Sequence, residues 1–288
     1  MNKTRIAIQG GPASFHDAAA RQLLCATPTE TVPCNTFRSL CSELEQAQVH
    51  AAVMAIENTL AGSLLPNYAL LQEHRLHVAA ELWLPIEQNL MALPGQSISD
   101  IRTVLSHPVA LAQCGGFLQQ HHYLKPQETH DTADSARIIR EQQLPVTAAI
   151  AGKAAAALYG MEVLAENIAD TAHNHTRFLL LQREQPAVPA AADKAILTFR
   201  KPLHTSTLTL LLSLLQKYQV ELTLLQTLPA HDARGQLVAE LEAAHIEPLQ
   251  EAIAQVKPLV EELQVLGLLQ KAARPATAPT EKETAAIL

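Results

Sequence analysis

The sequence predicts an α/β protein made of two successive units. Two observations carry this. Up to residue 182, short apolar runs such as Ile6-Ala7-Ile8 and the stretch 51–56 alternate with stretches whose apolar side chains recur every three or four positions. Strands alternating with helices make a layered fold with mainly parallel pairing. Beyond Pro186 and Pro189 the order changes to β-α-β-β-α-β, so a second, smaller unit follows the first.

In the first unit, residues 5–9 read as a strand, with a turn at Gly10-Gly11-Pro12 and a helix over 14–24. Phe37, Leu40, Cys41 and Leu44 give 36–47 the spacing of one helix face. A buried strand over 51–56, a helix over 64–73 and an extended segment over 77–84 come next. Then follow a strand (103–105), helices (109–120 and 134–142), a strand (147–151), a helix (153–159) and a strand (176–182). Residues 184–193, with two prolines and several alanines, suit a linker. Strands at 194–200, 221–228, 236–244 and 263–270 surround helices over 207–218 and 246–259. That order is the ferredoxin-like plan. Residues 272–288, rich in Ala, Pro, Thr, Lys and Glu, read as a disordered tail.

The chain has 288 residues, 48% hydrophobic and 17% charged, with 28 acidic against 21 basic side chains and a net charge of −7. A mildly acidic chain argues against nucleic acid, whose phosphates select a basic surface, and against anionic membranes. No apolar run approaches the ~20 residues of a membrane span. Cys25, Cys34, Cys41 and Cys114 show no C-x-x-C spacing, which favours a reduced, cytoplasmic protein.

No nucleotide cradle and no H-E-x-x-H occur. His173/His175 and His74/His77 lack an accompanying ligand set and read as ordinary histidines, so no metal is expected. Three loops stand out because each follows a predicted strand and opens a predicted helix. They carry Ser14-Phe15-His16-Asp17, Glu57-Asn58-Thr59-Leu60-Ala61-Gly62-Ser63 and Ser106-His107-Pro108. Ligands of open α/β sheets bind at strand carboxyl ends, where helix N-termini offer free N–H groups to anions. Hydroxyls, amides and backbone donors with few fixed charges suit a small carboxylate-bearing molecule; the alternative is three good helix starts. A fourth stretch, Asn174-His175-Thr176-Arg177-Phe178, runs from a polar loop into the apolar Leu179-Leu180-Leu181. A guanidinium entering a buried strand lines a cavity or pairs with a carboxylate such as Asp170 or Glu57.

Together with Ala112-Gln113-Cys114, Glu81-Leu82-Trp83 and Leu158-Tyr159-Gly160, these motifs resemble the prephenate dehydratase family over residues 5–183. The second unit resembles an ACT domain. The resemblance implies a bilobal, periplasmic-binding-protein-like catalytic domain over 1–183, with lobes at about 1–76 plus 172–183 and about 80–168. A linker (184–193), an ACT-like domain (194–271) and the tail complete the chain. It also implies an oligomer, a homodimer or homotetramer. No mutase-like segment precedes residue 5, so a monofunctional chain is expected.

The activity implied is a carbon–oxygen lyase reaction, prephenate to phenylpyruvate, water and CO2, on the way to phenylalanine, with no cofactor. The resemblance makes Thr176 the proton or hydrogen-bond donor to the leaving hydroxyl, with Glu57 as rival acid and Asn58 and Gln113 as further catalytic residues. Substrate contacts are expected from Ser14, Phe15, Thr59, Gly62, Ser63, Ser106 and His107. Arg177 pairs with a substrate carboxylate or braces the loop, and Phe178 walls the ring or packs the core. Ala13 stands where the family has glycine, and Val109 where glutamine is common. The ACT-like positions Ser206, Thr207, Leu208, Gln226 and Thr227 depart from the phenylalanine-sensing motifs, so a phenylalanine effector is a doubtful carry-over. Two other readings stay open: an arogenate dehydratase, and a non-catalytic receptor for small carboxylates.

Overall fold

In a computed structural model, residues 3–200, 204–229 and 236–275 are described; the sequence-predicted loop 230–235 and most of the tail lie outside them. The first lobe begins with β1 (Thr4–Gln9), α1 (Phe15–Leu23), β2 (Thr29–Cys34) and α2 (Phe37–Glu45). It continues through β3 (Ala51–Asn58), β4 (Gly62–Ser63), α3 (Leu65–Glu73) and β5 (His77–Pro85). The second lobe comprises β6 (Asn89–Ala92), β7 (Thr103–Ser106), α4 (Pro108–Gln113), α5 (Gly115–Gln120) and β8 (Lys125–Glu128). It ends with α6 (Thr132–Gln142), β9 (Thr147–Ala151), α7 (Lys153–Tyr159) and β10 (Glu162–Ala165). The chain then returns to the first sheet as β11 (His175–Gln182). The third unit is β12 (Lys194–Arg200), α8 (Thr205–Lys217), β13 (Glu221–Leu228), β14 (Gln236–Glu242), α9 (Ile246–Val256) and β15 (Glu261–Leu269).

The strand orders are β2-β1-β3-β11-β5, β10-β6-β9-β7-β8 and β13-β14-β12-β15. The third order, antiparallel throughout, is the ferredoxin-like arrangement. Pairing in the lobes is mixed, against the expectation of mainly parallel sheets. β1 lies parallel to β2 and β3, and β7 parallel to β8 and β9. The strands next to the crossings, β5, β6 and β11, run antiparallel to their neighbours. Because β5 pairs with β11, the crossing follows Pro85 and does not occur near 76–80. Period-two patterning looks the same in whichever sheet a strand joins, so the sequence placed the lobe boundary too early.

Two sequence-predicted helices are divided. Residues 109–120 break at Cys114, before Gly115-Gly116, where the Gly116 N–H donates to Asp170 Oδ1 at 2.9 Å. The helix after β14 ends at Val256, and a 3-10 turn carries Lys257–Leu259. Strands β2, β4, β6, β8 and β10 were not predicted. β8 reads Lys-Pro-Gln-Glu and is exposed at every position, an edge strand whose composition discourages further pairing.

Each unit buries its own apolar face, and one core is shared. Ile196, Val238 and Leu266 of the third sheet pack with Tyr68, Leu71 and Val78 of the first lobe. Gly267 lets the two backbones meet: a Cβ there would lie 2.5 Å from the Val78 carbonyl oxygen. On the other face, Leu197 and Leu241 pack under α8 and α9 through Leu215 and Leu249. The start of the sequence-predicted tail is docked: the Ala272 N–H donates to Glu81 Oε1 at 3.0 Å and Arg274 pairs with Glu57 at 3.1 Å. Among the described residues no helix is long and apolar enough to cross a membrane.

Candidate active site

A cleft of about 310 Å³ lies between the lobes, within the range of roughly 300–1,000 Å³ usual for small-molecule sites. Ser14 and Phe15 enter it from the start of α1, His107 and Gln113 from the ends of α4, and Thr176 and Phe178 from β11. Phe15 reaches across to the second lobe, where a Cβ on Gly152 would meet its ring edge at 3.2 Å. Ala13 has φ 64°, which explains the glycine usual at that place; its N–H is held by Asp17 Oδ2 at 3.0 Å.

Strand alternation decides which side chains reach the cleft. In β11, Phe178 and Leu180 pack on the α1 side and Leu179 and Leu181 on the opposite side. Thr176 therefore shares the cleft face with Phe178, while Arg177 faces the third unit. In β3 the register shifts opposite Arg177 and Phe178, so that Ile56 is an extra, unpaired residue. Such a bulge reverses the alternation beyond it. Without it Asn58 would face away; with it Asn58 joins Thr176 and Glu57 points toward the third unit.

The amide of Asn58 is oriented by its surroundings. Its Oδ1 accepts the N–H groups of Leu60 and Ala61, both at 3.0 Å, so its Nδ2 must face the other way. That Nδ2 donates to Thr176 Oγ1 at 2.9 Å and to Asn174 Oδ1 at 2.8 Å. Asn174 Nδ2 in turn donates to Gln113 Oε1 at 3.2 Å, reaching the second lobe. Each link fixes the next. The Thr176 oxygen is an acceptor inside the chain, so its O–H is free to donate to a guest. The Gln113 carbonyl is engaged, so its NH2 is likewise free.

His16 forms part of the cleft wall between Phe37 and Phe178, edge-on to the latter at 4.9 Å between ring centres. Its Nε2 accepts the Ala55 N–H at 3.3 Å, and burial pushes its pKa down to about 3, so the imidazole is neutral. The folded pKa lies below the unfolded value of 6.5. Its stabilising contribution is thus complete above pH 6.5 and is lost as pH falls toward 3, at roughly 1.4 kcal/mol per pH unit. Urea unfolding at pH 6.5 and 5 is expected to show this slope, and His16→Gln to flatten it by about 2 kcal/mol over that interval. Parallel slopes would assign the titration to another group.

Several sequence-predicted site residues lie elsewhere. Glu57 pairs with Arg177 at 3.3 Å and Arg274 at 3.1 Å and, with Ser63, lines a separate polar cavity against the third unit. It is no rival acid. Thr59 staples the return crossing instead of lining the cleft: its hydroxyl donates to the His173 carbonyl and accepts from the His175 N–H, both at 2.9 Å. Gly62 is exposed, with φ 77° as β3 turns into β4. Ser106 is fully buried and donates to the Ile150 carbonyl at 2.6 Å, which ties β7 to β9. Arg177 does not face the cleft; it pairs with Glu57, as the sequence reading allowed, and grips Glu240 of β14. The regulatory candidates do not converge on one site in this chain. Ser206, Thr207 and Leu208 open α8, and Leu208 lines an apolar cavity of the third unit. Gln226 lines the polar cavity on the other face of the sheet, and Thr227 is exposed.

Sequence reasoning missed Gln9, Gln88, His130, Asp131 and Thr132, which also line the cleft. Asp131 is the N-cap of α6, its Oδ1 accepting from the Asp134 N–H at 2.9 Å. The usable signal was that cap, hidden because the strand before it was not recognised.

The prephenate dehydratase family model matches residues 6–186. Arogenate dehydratase 5, chloroplastic, of Arabidopsis thaliana is 36% identical over 91% of this chain and 66% of its own length. Arogenate dehydratase 2 of Petunia hybrida is 42% identical over 68% of this chain and 49% of its own length. The chain thus spans about half to two thirds of these relatives. Among solved structures, a prephenate dehydratase from Arthrobacter aurescens, in complex with L-Phe, matches with TM-score 0.80 at 25% identity, covering 99% of this chain and 96% of that one. GqqA, described as a novel type of quorum-quenching acylase, matches with TM-score 0.81 at 31% identity over 92% and 97%. On the matched span and the motifs that build the interlobe relay, the chain belongs to the prephenate dehydratase family.

Proposed function

We propose that the protein converts prephenate to phenylpyruvate, CO2 and water, with Thr176 donating a hydrogen bond to the departing hydroxyl. The relay from Gln113 through Asn174 and Asn58 to Thr176 carries this reading, because it leaves two donors free in the cleft. As CO2 leaves, the electrons of its bond enter the ring and expel hydroxide from the para carbon. The ring becomes aromatic, so the driving force is the substrate's own. The site has to hold the carboxylates, set the pose and ease charge building on the leaving oxygen. An alcohol is a feeble acid, so Thr176 acts as an oriented donor. One proton is consumed overall, giving water.

The names of the curated relatives favour a second substrate, arogenate, which carries an amine in place of the keto oxygen and yields phenylalanine. The likeness to GqqA, described as an acylase, raises amide hydrolysis, which the cleft supports less. Ser14 Oγ is taken as the α1 cap, and the ring nitrogens His16 Nε2 and His107 Nδ1 accept backbone N–H groups, so no serine–histidine hydrogen bond forms in the cleft among the described residues. The third unit is read as an ACT domain serving a homodimer or homotetramer, with phenylalanine binding altered at its departed motifs. The free thiols fit a cytoplasmic setting.

The test is direct: incubate the protein with prephenate, add alkali and read phenylpyruvate absorbance, and follow arogenate by phenylalanine release. Turnover of either supports the reading. Binding without product would make the protein a receptor, and neither would remove the reading.

A further inference from the structure

We propose that Asp131 and Gln88 form an acceptor pair that reads the α-ammonium of the amino form of the substrate, so that the cleft takes arogenate as well as prephenate. The inference rests on the dehydratase reading above and assigns its substrate class to named side chains. The cleft is almost without fixed charge. Among the described residues lining it there is no lysine or arginine, and Asp131 is its one carboxylate. Asp131 makes no ion pair with a described residue; Oδ1 caps α6, while Oδ2 lies where a Cβ on Gly10 would come within 2.7 Å. Burial raises its pKa, against the Asp134 and Ala133 N–H groups and the nearby His107, which act to lower it. Among the described residues no histidine of the cleft is ion-paired with it. His16 and His107 each accept a backbone N–H on a ring nitrogen, and His130 is exposed.

Gln88 adds an independent observation. Its side chain is 2% exposed, and its Oε1 is buried without a hydrogen-bond partner among the described residues, although it lines the same cleft. A buried acceptor left open calls for a donor from the guest. Prephenate offers carboxylates, a keto oxygen and a single O–H donor on the hydroxyl that faces Thr176, and its two negative charges meet a third at Asp131. An ammonium offers three N–H donors and one positive charge, which answers both groups.

Asp131→Asn tests this, since Asn also caps helices well. We expect kcat/KM on arogenate to fall by about 10²-fold, the scale of losing one partner of a desolvated charge pair. That on prephenate should rise as the repulsion goes. Gln88→Met, which leaves the cap alone, should move the same ratio toward prephenate by about tenfold. Thermal unfolding confirms that both variants are folded. A ratio unmoved in both variants, or an equal fall on both substrates, overturns the pairing with ammonium. So does a wild-type protein active on prephenate and inert on arogenate. A wild type inactive on both would instead sink the dehydratase reading itself.

Discussion

Thr176→Ala is expected to lower turnover by about 10²–10⁴-fold while the protein stays folded, the range for one positioned proton-transfer or hydrogen-bonding group. The side chain is 9% exposed, and its loss leaves a small gap at the cleft wall instead of a hole in a core. Stability should therefore change little. The loss should appear in kcat more than in KM, because the hydroxyl matters most when charge develops on the leaving oxygen. Thr176→Ser keeps the O–H and its acceptor bond to Asn58, so most of the rate should return. Asn58→Ala should follow Thr176→Ala in direction, since the threonine proton is aimed by the amide that occupies its oxygen. Phenylpyruvate release at saturating prephenate measures all three. A near-normal rate in the alanine variant removes Thr176 from the reaction.

How far the site could be read from the sequence depended on what each signal encodes. Ile6-Ala7-Ile8, the stretch around Val53 and Leu179-Leu180-Leu181 announced buried strands, because apolar runs between turn residues have few other uses. The Ser14 cap and Pro108 announced helix starts. These local signals pointed to Ser14, Phe15, His107, Asn58, Thr176 and Phe178, the family resemblance added Gln113, and all seven line one cleft. Facing was a different matter. Glu57 and Asn58 are neighbours in one motif, and only a bulge at Ile56, a property of pairing with β11, sends them to opposite sides. For Arg177 the sequence offered Glu57 as a partner, which it is, but not Glu240, which lies 63 residues away on a strand of another unit. Asp131 follows β8, a polar edge strand with no apolar run, and Gln88 lies in the crossing between β5 and β6, so no local pattern marked them.

The second large effect concerns that long-range partner. Arg177→Met is expected to cost about 3–5 kcal/mol, the loss usual when one member of a buried ionic cluster is removed. Arg177, Glu240, Glu81 and Lys194 are each 5% exposed or less in their side chains, two cations against two anions. Both guanidinium Nη atoms grip the Glu240 carboxylate, at 2.7 and 2.6 Å, and one also donates to the Tyr68 hydroxyl. Without Arg177, Lys194 alone faces two buried carboxylates. A drop in Tm of roughly 6–20 °C follows for a chain of this size. The double variant Arg177→Met/Glu240→Met leaves Lys194 and Glu81 balanced at 3.1 Å, so it should be more stable than Arg177→Met alone. Acid makes the same point. Burial opposes the Glu240 charge, but Arg177 outweighs it and holds the pKa at about 2, below the ordinary 4.5. The folded value being the lower, this stabilisation is whole above pH 4.5 and is lost as pH falls toward 2. The double variant should lose that part of the acid dependence. Additive losses in the double variant, or a Tm within about 2 °C of wild type for Arg177→Met, would show that the cluster does not hold the third unit to β11. Because β11 carries Thr176 on one face and Arg177 on the other, the strand that presents the catalytic hydroxyl is the strand the third unit grips.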